Sequence, residues 1–150
     1  MPAKKAELQA PEAAVRSEEN LKALFKKTFG EEIVDFAPLK GDASARRLFR
    51  IKSGGRSVIG AIGPDRLENT AFVEFSKHFK KECLPVPEIY AADLSKDIYL
   101  EEDLGETTLF QFMQAERTGP EFPASVLAAY KKTLDWLPDF QMKAGKTLDY

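Results

Sequence analysis

Apolar positions change their period along the chain, and the changes mark out the elements. In SEENLKALFKKTFG, Leu21, Leu24, Phe25 and Phe29 share one helical stripe. Ser17 is placed to cap that helix, acids fill its first turn, lysines sit late and Gly30 ends it. Residues 1–16 lack clear periodicity and are expected to be a flexible tail or a frayed helix. The period then shortens. EIVDFAPL (32–39), RRLFRIK (46–52) and RSVIGAI (56–62) read as strands, with SGG (53–55) turning the second onto the third as a hairpin. Residues 66–81 return to helical spacing, with Leu67, Ala71, Phe75 and Phe79 on one stripe and Phe72 beside it. LPVPE (84–88) is extended because its two prolines forbid helix.

IYAAD (89–93) and DIYLE (97–101) are two further strands joined by the turn LSK. A short helix follows Gly105, with Thr107 as its expected cap. RTGPEFP is a loop, and Pro123 opens a last helix with Val126, Leu127, Tyr130, Leu134 and Leu137 as its expected core face. Pro138 kinks or ends that helix. The expected fold is α+β: a five-stranded, mostly antiparallel sheet with a helix between strands 3 and 4, plus C-terminal helices.

Composition narrows the chemistry. With 22 Lys plus Arg against 24 Asp plus Glu, the net charge of −2 offers no general attraction to nucleic acid or an anionic membrane. No apolar run approaches a membrane span of about 18 residues. The opening MPAKKAELQAPEAAV has no apolar signal-peptide core. Cys83 is the only cysteine, which excludes an internal disulfide, and a cytoplasmic location is expected. His78 is the only histidine, so a His/Cys metal site or a Ser-His-Asp triad has little to draw on. Cys83 is expected to be a packing residue, His78 a helix-flank residue, and Trp136 the cover of a helix seam.

Two stretches carry candidate chemistry. In LKGDASARRLFRI (39–51), Gly41, Asp42, Ala43 and Ser44 are small enough for backbone N–H groups to approach a phosphate, and Arg46 and Arg47 add charge. The plain alternative is an ordinary connection with solvated arginines. In DIYLEEDLGETTLF (97–110), an apolar strand delivers Glu101, Glu102, Asp103, Leu104 and Gly105. A segment that presents backbone to a flat ligand tolerates acids that point to solvent. The plain alternative is a solvated strand end before a helix. Adjacent acids on a strand face opposite ways, so Glu101 and Glu102 are badly placed to share a metal or a glycosidic bond.

Taken in order, LKGDASARRLFRI, SVIGAIGP, FVEFSKHFKKECLPVPEIYAADL and IYLEEDLGETTL resemble the amino-terminal lobe of the aminoglycoside/choline-kinase-like phosphotransferase family, in the branch of N-acetylmuramate and related amino-sugar kinases. The resemblance covers roughly residues 33–142. It implies a protein-kinase-like fold, with a lobe over 17–105 and the first helices of a second lobe over 106–150. It implies ATP as the bound nucleotide, with residues 39–47 over its phosphates. Gly41, Asp42, Ser44, Arg46 and Arg47 are the residues concerned there. It makes Leu100, Glu101, Glu102, Asp103 and Leu104 a hinge that grips adenine through main-chain hydrogen bonds.

Kinase-like sites usually carry a lysine on strand 3 paired with a helix glutamate. SVIGAIGP has none, so the resemblance leaves that charge to Arg46 or Arg47, with Glu68 or Glu74 as partner. The family's His-x-Asp catalytic loop with its following Asn, and its later metal-binding Asp, have no counterpart here. The expectation is therefore an ATP-binding lobe with no catalytic residue and no metal ligand, inactive by itself. Mg2+ and a small-molecule acceptor belong to a complete two-lobe protein. The alternatives are a non-catalytic nucleotide- or protein-binding module derived from that fold, and an unrelated small α+β domain.

Overall fold

The computed structural model describes residues 3–40 and 45–148, with side chains from Glu12 onward in those ranges. The chain divides into two compact units, Met1–Lys77 with Pro87–Asp103, and His78–Val86 with Leu104–Tyr150. Among the described residues no helix is long and apolar enough to cross a membrane.

The first unit is built on a five-stranded sheet of β1 (Asp35–Pro38), β2 (Arg47–Lys52), β3 (Ser57–Ile62), β4 (Ile89–Asp93) and β5 (Ile98–Glu102). Its order is β1-β2-β3-β5-β4 and every neighbouring pair is antiparallel. The α+β architecture and the antiparallel sheet are as expected; β5 starts and ends one residue later than its pattern suggested, and β1 is shorter, 35–38 against 32–39. The SGG turn closes with Ser53 N–H donating to Arg56 O at 2.9 Å.

Alternation on interior strands gives the sheet two apolar faces. Phe49, Ile51, Val58, Ile62, Ile98 and Leu100 pack with Leu21 and Phe25 of α1 (Ala3–Phe29). On the other face Ala61 and Tyr99 pack with Val73 of α2 (Arg66–Lys81), with Phe72 and Leu48 alongside. The close approach of α1 depends on Gly60. A Cβ there would lie 2.7 Å from Leu21 Cδ2 and 2.9 Å from Ile51 Cδ1.

Residues 3–16 are helical and form the first turns of α1. Two helical expectations change. Ser17 lies inside the helix, where its hydroxyl donates to Ala13 O instead of capping. In α2 the expected stripe is not the buried one: Leu67 is 82% exposed and Phe75 is 39% exposed, whereas Asn69, Val73 and Ser76 are buried. The cause is the β3–α2 connection. Asn69 Nδ2 donates to Gly63 O at 2.9 Å, and this buried bond turns Asn69, with Val73 one turn on, towards the sheet. Gly63 in turn must be glycine, because a Cβ would run into the Asn69 amide.

The Gly63→Ala variant is accordingly expected to lose about 2 kcal/mol, by displacing a buried hydrogen-bonded amide. Gly60→Ala, which meets only methyl ends that can rotate, is expected to lose less. Urea unfolding of both variants checks the order, and equal midpoints would contradict it.

In the second unit, α3 (Leu109–Glu116) starts at a capping box made by Thr108 and Gln111, one residue past the expected Thr107. The helix α4 (Ala124–Pro138) ends at Pro138 and passes into a π turn over Asp139–Lys143. Of the expected α4 core face only Val126 is buried; Leu127, Tyr130, Leu134 and Leu137 are exposed. Cys83 is exposed and not a packing residue. It closes α2, at φ 60°: Leu84 N–H donates to Phe79 O and Cys83 N–H to Lys80 O, the paired bonds of a left-handed helix end. His78 is half-buried, with Nε2 2.9 Å from Ala144 O.

Candidate functional site

The two arginines that open β2 part company at once, because neighbours on a strand face opposite ways. Arg47 turns to the α1 side, donating to Glu18 Oε1 at 2.8 Å with its guanidinium 5.4 Å from the Phe49 ring centre. Arg46 turns to the α2 side. Its Nη2 donates to Glu68 Oε1 at 2.6 Å, and its guanidinium lies 5.0 Å from the Phe72 ring centre and 5.7 Å from that of Tyr99. Of the two helix acids considered for such a pairing, Glu68 takes the role, while Glu74 pairs with Lys77 at 3.1 Å. Gly41, Asp42 and Ser44 lie outside the described residues. A cavity of about 510 Å³ has Arg46 and Arg47 in its wall and Phe36, Leu48 and Phe49 as apolar lining.

The acids of β5 do not all point to solvent, and this corrects the expectation. Tyr99, Glu101 and Asp103 alternate onto the α2 face. Glu101 lies opposite Ile59 of β3 and Ile89 of β4 and is nine-tenths buried. Burial pushes its carboxyl up from the ordinary range to about 7, against the opposing pull of Arg46. Among the described residues Glu101 Oε2 and the Tyr99 hydroxyl have no hydrogen-bond partner. Burial, and then the nearby Glu101, raise the Tyr99 phenol above its usual value, and Arg46 partly offsets them.

Asp103 is half-buried, its side chain only 8% exposed. It accepts from Arg50 Nε at 2.7 Å and Nη2 at 2.9 Å, a bidentate pair, and Ser57 Oγ donates to it at 2.5 Å. Glu102 uses both backbone and side chain on the start of β4: its N–H donates to Glu88 O at 2.9 Å, and its Oε2 accepts from Glu88 N–H at 3.1 Å. Leu100 belongs to the α1-side core. Since β5 lies between β3 and β4, the main chain of Leu100 and Glu101 is spent on the ladders. Leu104, in the second unit, is exposed, and Gly105 has φ 94°.

Tyr99 and Arg50 were missed as members of this arrangement. Their signals were present: an arginine inside the apolar run LFRI, and an acid two and four places after a tyrosine on a strand apolar on both faces. Among the described residues no three His, Cys, Asp or Glu side chains gather where they could hold a metal ion. No family model matches the chain, and no curated protein matches it.

Proposed function

We propose that this chain is the ATP-binding lobe of a small-molecule phosphotransferase of the aminoglycoside/choline-kinase-like family, with an amino sugar as the acceptor class of the complete protein. The observation that carries the reading is the Arg46–Glu68 pair. Strand β3 offers Gly60 and Ala61 where a cation would be wanted, and Arg46 brings a guanidinium to the same face from the start of β2. A helix acid holds it, as phosphoryl-transfer sites require of a charge that must be positioned before nucleotide arrives. The sheet order β1-β2-β3-β5-β4, with α2 between β3 and β4, supports the same reading. Arg46 is the phosphate-side cation in this proposal, and ATP supplies the transferable phosphoryl group. The transfer step itself is assigned to no residue of the chain.

The test is thermal unfolding with and without ATP. Saturable stabilisation following RT ln(1 + [L]/Kd) is expected. Arg46→Ala should weaken ATP binding by roughly tenfold or more, the usual scale for losing a charge-assisted hydrogen bond. An unchanged melting curve at millimolar ATP would remove the proposal. The second reading is a non-catalytic, protein-binding module. The exposed Leu127, Tyr130, Leu134 and Leu137 of α4 favour it. Sedimentation showing self-association, with ATP inert, would prefer that reading.

A further inference from the structure

On the α2 side of the sheet one guanidinium faces two carboxyls of different standing. Glu68, which holds Arg46 at 2.6 Å, has a side chain 61% exposed, so water can replace that partner at little cost. Glu101 is buried with Oε2 unpartnered among the described residues, so once ionised it has no comparable substitute. Among the described residues its neighbours on β3, β4 and β5 bring no cation. Ile59 and Ile89 flank it on β3 and β4, and Tyr99 is a neutral phenol on the same face. Arg50 of β2 shares the face but is committed to Asp103 in a bidentate pair. From α2 the charged group that reaches this cluster is Glu68. Among the described residues, then, Arg46 is the cation that acts on Glu101.

We infer that the proton on Glu101 decides which carboxyl Arg46 serves. With the proton in place, Arg46 stays on Glu68 and ties the start of β2 to α2. When the proton leaves to solvent, the buried carboxylate draws the guanidinium inward, across the Phe72 and Tyr99 rings it already covers, and the tie to α2 loosens. Arg46 adjoins β2 directly, so the movement is felt at the start of that strand. The switch acts in the neutral range, where burial places the Glu101 titration. It does not depend on nucleotide binding.

NMR titration of the ATP-free chain between pH 5 and 9 tests it, following Glu101 13Cδ and Arg46 15Nε together. A common midpoint for the two signals is expected. Glu101→Gln should abolish the Arg46 step. Glu68→Gln should lower the Glu101 midpoint by roughly half to one unit, a threefold to tenfold change in its proton affinity, because the competitor for Arg46 is gone. An Arg46 signal that stays constant while Glu101 titrates would overturn the inference, as would a Glu101 midpoint unmoved by Glu68→Gln.

Discussion

Asp103→Ala is expected to destabilise the first unit by about 3–5 kcal/mol, the cost of breaking a buried ion pair from one side. Asp103 and Arg50 have side chains only 8% and 12% exposed, and the pair is bidentate with Ser57 as a third donor. Removing the carboxylate takes from the Arg50 guanidinium its bidentate acceptor and from the Ser57 hydroxyl an acceptor. Arg50→Ala should be costly for the mirror-image reason. The double variant Arg50→Ala with Asp103→Ala should cost clearly less than the two losses added, because no lone charge remains. Urea unfolding of the three variants measures this. A loss below about 1 kcal/mol for Asp103→Ala would mean that the pair behaves as a solvent-screened surface bridge. The position also explains why an acid follows β5 directly: it clamps the exit of the strand to β2 and β3.

Glu101→Gln should change how stability depends on pH. The folded chain holds the Glu101 proton up to about pH 7, whereas the ordinary value for the group is 4.5. Between those values the native state binds the extra proton, so stability falls as pH rises and levels off above 7. The interval corresponds to on the order of 3 kcal/mol. Glutamine keeps the shape and cannot ionise, so the variant should lack the decline and be the more stable protein at pH 8. Glu31 and Asp93 have the opposite sign. Hydrogen bonds from Ser53 and Arg56 to Glu31, and from Ser95 and Lys96 to Asp93, hold both carboxyls below their usual values. Their contributions are present above the ordinary carboxylate range and fade only as pH falls through it, outside the Glu101 window. Denaturant midpoints at pH 5, 6, 7 and 8 decide the matter. Parallel curves for wild type and variant would show that Glu101 ionises freely.

Much of the fold was legible because local rules and tertiary demands agreed. Alternation over 46–52 and 56–62 with SGG between them specifies a hairpin, since a two-residue period and a short glycine turn leave no other economical arrangement. Residues 66–81 form a helix with the expected bounds, opened by Asp65, whose Oδ1 accepts from Glu68 N–H at 3.0 Å. The site was less legible. Arg46 and Arg47 were picked out as a pair, yet they serve opposite faces of the sheet. Glu101, Glu102 and Asp103 were read as solvent-facing, yet one is a buried acid, one binds Glu88 just before β4 and one is a half-buried clamp.

By itself the sequence determined the order and type of the elements around the sheet, because turn chemistry and hydrophobic period act over a few residues. Only the tertiary structure decided which face of each element is buried and what each charge meets. A helix with Leu67, Phe75, Val73 and Phe72 on different sides has more than one plausible inner face, and Asn69 chose it by bonding to Gly63 O. An acid at the end of a strand is read as exposed until a cation from a distant strand covers it. Arg50 lies 53 residues from Asp103, and no local pattern carries that pairing.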